Sequence, residues 1–192
     1  MASARYLFAA KAHRTSRQVD SDAPAVASSS PRSPLRRSTS VKTVADSTVT
    51  ASLIARLGTL QPDTPRRWGT LEPHEMLCHL GDAFEMALRT RPRKAPVRIP
   101  NRPLVKLVAL RGPLRLWRGT RTNPEHDPRV AGTPPSSFEA DKARVVRALH
   151  ALAVANPSSL ETGHGILGPM SVVDWQRWAY RHADHHLRQF GV

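Results

Sequence analysis

Apolar residues recur every three to four positions in four segments of the chain, and this spacing predicts four long helices. The segments cover residues 44–60, 71–88, 136–156 and 171–191. A shorter helix is expected over residues 104–110, broken at Gly112-Pro113 and resumed over 114–117. No convincing run alternates between apolar and polar residues as a strand would. We therefore predict an all-α fold, an antiparallel four-helix bundle with long loops.

Capping residues mark the ends of three of these helices. Residues 171–174 form a Ser-x-x-Asp capping box, and Gly191 can end the helix that follows. Pro73 stands at the first helical position of the second segment, where proline is favoured. Residues 136–139 form a Ser-x-x-Glu box that predicts the start of the third long helix.

The first 43 residues lack the helical pattern. They are rich in Ala, Ser, Arg and Pro and include the run SSSPRSPLRRSTS, a composition typical of disorder. An Arg-rich, acid-poor start is typical of organelle transit peptides. A translation start assigned too far upstream is the other explanation, and the true protein would then begin near Val41. We expect residues 1–43 to be an unfolded extension without a catalytic role, and residues 44–192 to be the folded domain.

Composition limits the class of protein. The chain has 192 residues, room for one ordinary domain, and 40% of them are apolar. Cys78 is its one cysteine, which excludes an internal disulfide and fits a cytoplasmic protein. No apolar run approaches the ~18 residues that a membrane helix needs, so we expect no membrane association.

Positive charge is concentrated in one segment. The formal net charge is +14, and eleven Lys or Arg residues lie between Arg89 and Arg121 without an acidic residue among them. We rank three interpretations. The first is a solvated surface loop, the second a surface that attracts an anionic small-molecule substrate, and the third a contact for nucleic-acid phosphates.

The last helix combines aromatic and imidazole side chains on one face. The residues that recur there at helical spacing are Trp175, Trp178, His182, His186 and Gln189. An aromatic face enters a core, where an imidazole needs partners for its ring nitrogens. His182 and His186 are four residues apart and can both reach one metal ion. Partly exposed histidines on a surface helix are the competing interpretation.

A third imidazole lies on the second helix. His79 is at the edge of the apolar stripe of that helix, and a facing helix in an antiparallel bundle can bring it to the same ion. Three neutral imidazoles suit zinc, nickel, iron(II) or copper(II), and they do not suit magnesium or calcium. Three protein ligands leave a coordination position open, as in catalytic zinc sites, where a bound water has a pKa near ~7.

Neighbouring residues on the second helix have predicted supporting roles. Asp82, one turn after His79, is the candidate to orient its ring, and Glu75, one turn before it, is the candidate acid or base. We expect Cys78 to be a small buried apolar side chain and His74, in the first turn, to be exposed.

The remaining histidines are weaker candidates for a role in the site. His185 and His164 are expected at the rim of the site rather than as ligands, and no partner is evident for His126 or His150. Trp175 and Trp178 are expected to belong to the core.

Three motifs accompany these histidines: RRWGTLEPHEMLCHLGDAF at 66–84, GTPP at 132–135 and WQRWAYRHADHHLRQFG at 175–191. Together they resemble the DinB-like superfamily of bacterial metal-binding four-helix bundles, over roughly residues 41–192. The resemblance implies a divalent metal held by His79, His182 and His186, with zinc first and nickel, iron or manganese as alternatives. His164-Gly165 departs from the His-Pro that the family would have before the last helix.

The resemblance also implies a class of activity. Better-known members of the superfamily include transferases and isomerases that use low-molecular-weight thiols, and metal-dependent hydrolases. A hydrolase or thiol S-transferase would act on a small molecule, either anionic or a thiol, and a homodimer is the candidate assembly. The alternative is a non-catalytic basic helical protein that binds nucleic acid or a protein partner.

Overall fold

Helices account for most of the structure, a computed structural model that describes residues 41–92, 100–112, 116, 119 and 122–192. Thr39–Val192 is a compact unit by itself. The expected extension 1–43 lies almost entirely outside the described residues. So do much of the basic segment and most of the expected helix at 114–117.

Five α-helices and one small hairpin occur in the described part of the chain. They are α1 (Ser47–Thr59), α2 (Pro73–Ala87), α3 (Pro103–Arg111), α4 (Phe138–Ala153), β1 (Gly163–His164), β2 (Gly168–Pro169) and α5 (Val172–Gln189). Single 3-10 turns occur at Pro124–His126 and Pro157–Ser159. The four long helices and the short one within the basic segment lie where the apolar spacing predicts them, with ends shifted by one to three residues.

The predicted caps of α2 and α5 are confirmed. Ser171 and Asp174 form a reciprocal capping box at the start of α5, and Pro73 is the first residue of α2. Gly191, just after α5, has a φ of 81°, a left-handed conformation that glycine adopts without a steric penalty.

The predicted cap of α4 is wrong by one residue. Ser137, rather than Ser136, is the N-cap, and its side chain accepts a hydrogen bond from the backbone N–H of Ala140. Ser136 donates its own N–H to the Asp141 carboxylate at 3.3 Å, which places it outside the helix. Glu139 pairs with Lys142 instead of closing a capping box.

The long helices bury one apolar core. α2 packs most extensively against α4, and α5 contacts α1, α2, α3 and α4. Large side chains that are fully buried include Leu53, Met76, Phe84, Leu149 and Trp175. Burying one side chain of this size stabilises the fold by about 2 kcal/mol. Trp175 belongs to this core as the sequence predicts, and its indole N–H is satisfied by the Glu161 carbonyl at 2.7 Å.

The loop between α4 and α5 forms the hairpin. β1 and β2 are antiparallel, with Gly163 opposite Pro169 and His164 opposite Gly168. Gly168 has a φ of 83°, and a side chain there would collide with the carbonyl oxygen of Pro100. Two-residue strands are too short for an alternating pattern, which explains why the sequence does not predict them.

Within the described ranges, no helix combines the length and the apolar character needed to cross a membrane.

Candidate metal centre

Three imidazoles from two helices meet at one point, where His79 is buried and His182 and His186 are half-buried. His79 comes from α2, and His182 and His186 come from α5, with one ligand nitrogen from each ring within 4.8 Å of the others. The Nε2 atoms of His79 and His182 are 3.0 Å apart. The ring centroid of His186 lies 4.8 Å from that of His79 and 4.9 Å from that of His182. Nitrogens around a tetrahedral zinc ion are ~3.3 Å apart, so these rings are close to the spacing that one ion requires.

Two of the rings have their tautomer set by an oxygen acceptor. Nδ1 of His79 lies 3.0 Å from the backbone carbonyl oxygen of His126, and Nδ1 of His186 lies 2.9 Å from Oε1 of Gln189. A carbonyl or amide oxygen only accepts, so each Nδ1 carries the hydrogen. Nε2 of each neutral ring therefore keeps a lone pair that is available for a metal ion.

His182 has a different environment. Its Nδ1 is buried and has no hydrogen-bond partner among the described residues. The contact between the Nε2 atoms of His79 and His182 requires one shared proton. That proton belongs to His182, because His79 carries its own on Nδ1. A cation between the two rings would take the place of that proton, with the His182 hydrogen then on Nδ1.

Burial keeps all three imidazoles neutral. It lowers the pKa of His79, although the hydrogen bond to the His126 carbonyl partly offsets this. Burial, followed by the neighbouring imidazoles, lowers the pKa values of His182 and His186 well below the ordinary range. Metal ions bind neutral imidazole, so the triad is in its ligating form at neutral pH.

A cavity of about 300 Å³ opens onto the triad. Its walls are largely apolar and include Leu110 of α3, Leu167 of the hairpin loop and Trp178 of α5. This volume and lining are typical of small-molecule sites. Trp178 is buried, as expected for the core, and its ring centroid lies 4.8 Å from that of His182.

Asp82 does not make the contact that the sequence predicts. The His126 carbonyl, rather than this carboxylate, holds Nδ1 of His79. Asp82 is fully buried and accepts hydrogen bonds from the backbone N–H and the hydroxyl of Thr133, each at 2.7 Å. It also pairs with Arg144 at 2.6 Å and Arg91 at 3.0 Å. The carboxylate therefore fixes the loop before α4. It supports the site through that loop rather than through a hydrogen bond to His79.

Glu75 is also engaged away from the triad. It pairs with the guanidinium of Arg129 and accepts the backbone N–H of Glu72 at 2.8 Å in the capping box of α2. The hydrogen bond from Arg129 lowers the pKa of Glu75, the opposite of what a general acid needs. Glu75 does not line the cavity either, so its contacts assign it a structural role.

His126 is a site residue for which the sequence offered no role. It ends the turn Pro124–His126, is 8% exposed and lines the cavity. Its Nε2 is buried and without a hydrogen-bond partner in the described part of the chain. Burial, followed by the electrostatic effect of the neighbouring His79 ring, lowers the pKa of His126 to about 4. The cap Asn123 before Pro124 is a sequence signal for the turn, but no local signal shows that the turn lies against α2.

His164 and His185 lie at the cavity wall, consistent with the expected rim position. Nδ1 of His164 accepts the backbone N–H of Ile166 at 3.1 Å and so shapes the hairpin loop. His185 packs edge-on against Trp68, with ring centroids 6.1 Å apart.

Comparisons with protein-family models, curated proteins and solved structures find no match for this chain.

Proposed function

We propose that this protein is a metal-dependent enzyme of the DinB-like superfamily. In this proposal α1, α2, α4 and α5 form an antiparallel four-helix bundle, and His79, His182 and His186 bind a divalent transition metal, with zinc as the first candidate. The observation that carries the proposal is the convergence of three neutral imidazoles, one buried and two half-buried, within 4.8 Å. Such a donor set suits zinc, nickel or iron, and it does not suit magnesium or calcium.

The surroundings of the triad support a catalytic rather than a structural ion. Structural zinc sites use four protein ligands, whereas three ligands beside a cavity leave a position for a substrate. When bound, such an ion supplies Lewis-acid activation of a water molecule or of a substrate thiol. The apolar wall formed by residues such as Leu110, Leu167 and Trp178 would exclude bulk water from the reacting groups.

The chemistry of the cavity points to a small, largely apolar substrate with an anionic or thiol group. Arg181 lines the cavity, and its guanidinium donates to the Gly112 carbonyl at 2.9 Å. A cation held in this way at an apolar wall favours a negatively charged group on the ligand. Hydrolysis and thiol transfer are the two reaction types that fit these features.

The proposal is tested by elemental analysis of the full-length protein after metal-replete expression. His79→Ala, His182→Ala and His186→Ala should each lose one equivalent of metal relative to the wild type. Removal of a group that only orients a ligand costs about 10–100-fold in affinity, so loss of the ligand itself should cost more. His150→Ala, at an exposed position of α4, is the matched control and should retain the wild-type metal content.

Circular dichroism of each variant distinguishes loss of metal from loss of fold. Folded triad variants that keep the full wild-type metal content would overturn the proposal. The non-catalytic basic helical protein would then be the better interpretation.

A further inference from the structure

A second cluster of ligand-type side chains lies between α2 and α4. His74 and Cys78 are one turn apart on α2, and Asp141 faces them from α4. Nε2 of His74 is 2.8 Å from Oδ2 of Asp141, and Sγ of Cys78 is 3.6 Å from the same oxygen. The three ligand atoms all lie within 4.8 Å of one another.

We propose that His74, Cys78 and Asp141 form a second binding site for a borderline-soft divalent cation such as zinc, separate from the histidine triad. Imidazole nitrogen, thiolate sulfur and carboxylate oxygen are the three donor types that zinc takes in proteins. The site neither uses nor requires the triad, so it stands independently of the proposed enzymatic function.

The observed spacing is close to that of a tetrahedral site. Ordinary zinc bond lengths place a sulfur and an oxygen ligand ~3.5 Å apart, and a nitrogen and an oxygen ligand ~3.3 Å apart. The Cys78–Asp141 distance of 3.6 Å already fits, and the His74–Asp141 distance of 2.8 Å has to open by roughly half an ångström.

The surrounding structure holds the ligands and leaves an entry path. Cys78 and Asp141 are buried, and they lie on the pair of helices that packs most extensively. The Asp141 carboxylate is held by the backbone N–H of Ser136, and the His74 ring packs edge-on against Phe138 at 5.5 Å. The His74 side chain is 25% exposed, so a cation can reach the cluster from that side.

Binding exchanges one proton for the cation. Without metal, the buried Cys78 thiol keeps its hydrogen and donates it to the Asp141 carboxylate at 3.6 Å. On binding, the S–H bond breaks, the sulfur lone pair binds the cation, and the proton passes to solvent. No electron is transferred, and His74 moves its hydrogen from Nε2 to Nδ1 without a net change in charge.

Cobalt(II) is the probe, because a thiolate bound to cobalt gives a sulfur-to-metal charge-transfer band in the near ultraviolet and imidazole does not. The double variant His182→Ala, His186→Ala removes two ligands of the triad, and neither substitution lies on α2. In the full-length protein with these two changes, we expect one bound cobalt per chain with this band. Adding Cys78→Ser should remove the band. Asp141→Asn should weaken cobalt binding by more than about tenfold, since even outer partners of a ligand are worth about that much.

The wild-type protein provides a second measurement that does not depend on the stability of the variants. It should bind two cobalt ions, one of them with the sulfur band. If the triad failed to bind metal, one cobalt with the band would remain, so the two proposals fail in distinguishable ways. Bound cobalt without a sulfur band, or no binding to the folded double variant, would show that the cluster is a hydrogen-bonded network only.

Discussion

At the scale of single residues, the candidate centre depends on oxygen atoms that hold the outer nitrogens of its imidazoles. Gln189, one turn after His186 on α5, accepts from Nδ1 of that ring at 2.9 Å. The backbone carbonyl of His126 does the same for His79 at 3.0 Å. Both contacts fix the ring orientation and present Nε2 to the cluster.

Gln189→Met should therefore weaken metal binding by about 10–100-fold, because methionine has a similar shape and no strong acceptor for the His186 N–H. Competition with a chromophoric chelator measures the change. Gln176→Met is the matched control. Gln176 is equally buried on α5, and its amide donates to the carbonyls of Leu152 and Ala153.

The control should lower the free energy of unfolding and leave metal affinity unchanged. Equal loss of affinity in the two variants would mean that Gln189 acts through stability alone and does not position His186.

At the scale of elements, the loop between α3 and α4 is bound to α2 at two points, and one of them is the site residue His79. Asp82 of α2 binds Thr133 in this loop, and the turn ending at His126 returns a carbonyl to His79 on the same helix. Gly132 lies where these parts meet. A Cβ at Gly132 would be 2.8 Å from the carbonyl carbon of Asp127 and 2.9 Å from the Asp82 carboxylate.

Gly132→Ala should displace this loop, because the atoms that a methyl group would meet include backbone, which cannot rotate away. We expect metal affinity to fall by about tenfold or more as the His126 carbonyl moves from His79. Gly58→Ala in α1 is the control, since nothing lies within 4 Å of its Cβ. Alanine there should stabilise the protein by about 0.5–1 kcal/mol without changing metal affinity.

Metal affinity of the two variants can be compared by isothermal titration calorimetry at matched protein concentration. Wild-type affinity in Gly132→Ala would show that the loop does not control the orientation of His79.

At the scale of the whole molecule, several buried or half-buried imidazoles are kept neutral by the loss of solvent around them. The pKa values of His79, His126, His182 and His186 are all lowered, with burial as the largest cause in each. An unfolded histidine titrates near ~6.5, so below that pH the unfolded chain binds more protons than the folded one.

The metal-free protein should therefore lose stability as the pH falls below about 6.5. Above that pH, titration of these imidazoles should change the free energy of unfolding little. Each such imidazole contributes up to about 1.4 kcal/mol per pH unit to the slope. Urea unfolding in the presence of a chelator, from pH 8 to pH 4.5, measures it. A free energy of unfolding that stayed constant down to pH 5 would show that these rings titrate normally in the folded state.

Much of the helical architecture could be predicted from the sequence, because helical spacing and caps are local properties. The pattern located α1 to α5, and it put His182 and His186 on one face with Trp178 and Gln189. The cap of α4 was misplaced because Glu139, three residues after Ser136, favoured that serine as the cap, whereas in the structure Glu139 pairs with Lys142 and Ser137 caps the helix.

The tertiary structure alone decided which groups surround the candidate site. The partners that orient His79 are far away along the chain: the His126 carbonyl is 47 residues distant and His182 is 103. Neither the loop that brings the His126 carbonyl to α2 nor the pairing of Cys78 with Asp141 has a periodic signature in the sequence. By itself the sequence determined which faces of the helices are apolar, because each face is set by residues within a few turns. The contacts between those faces depend on how distant segments pack, and packing is a property of the folded chain.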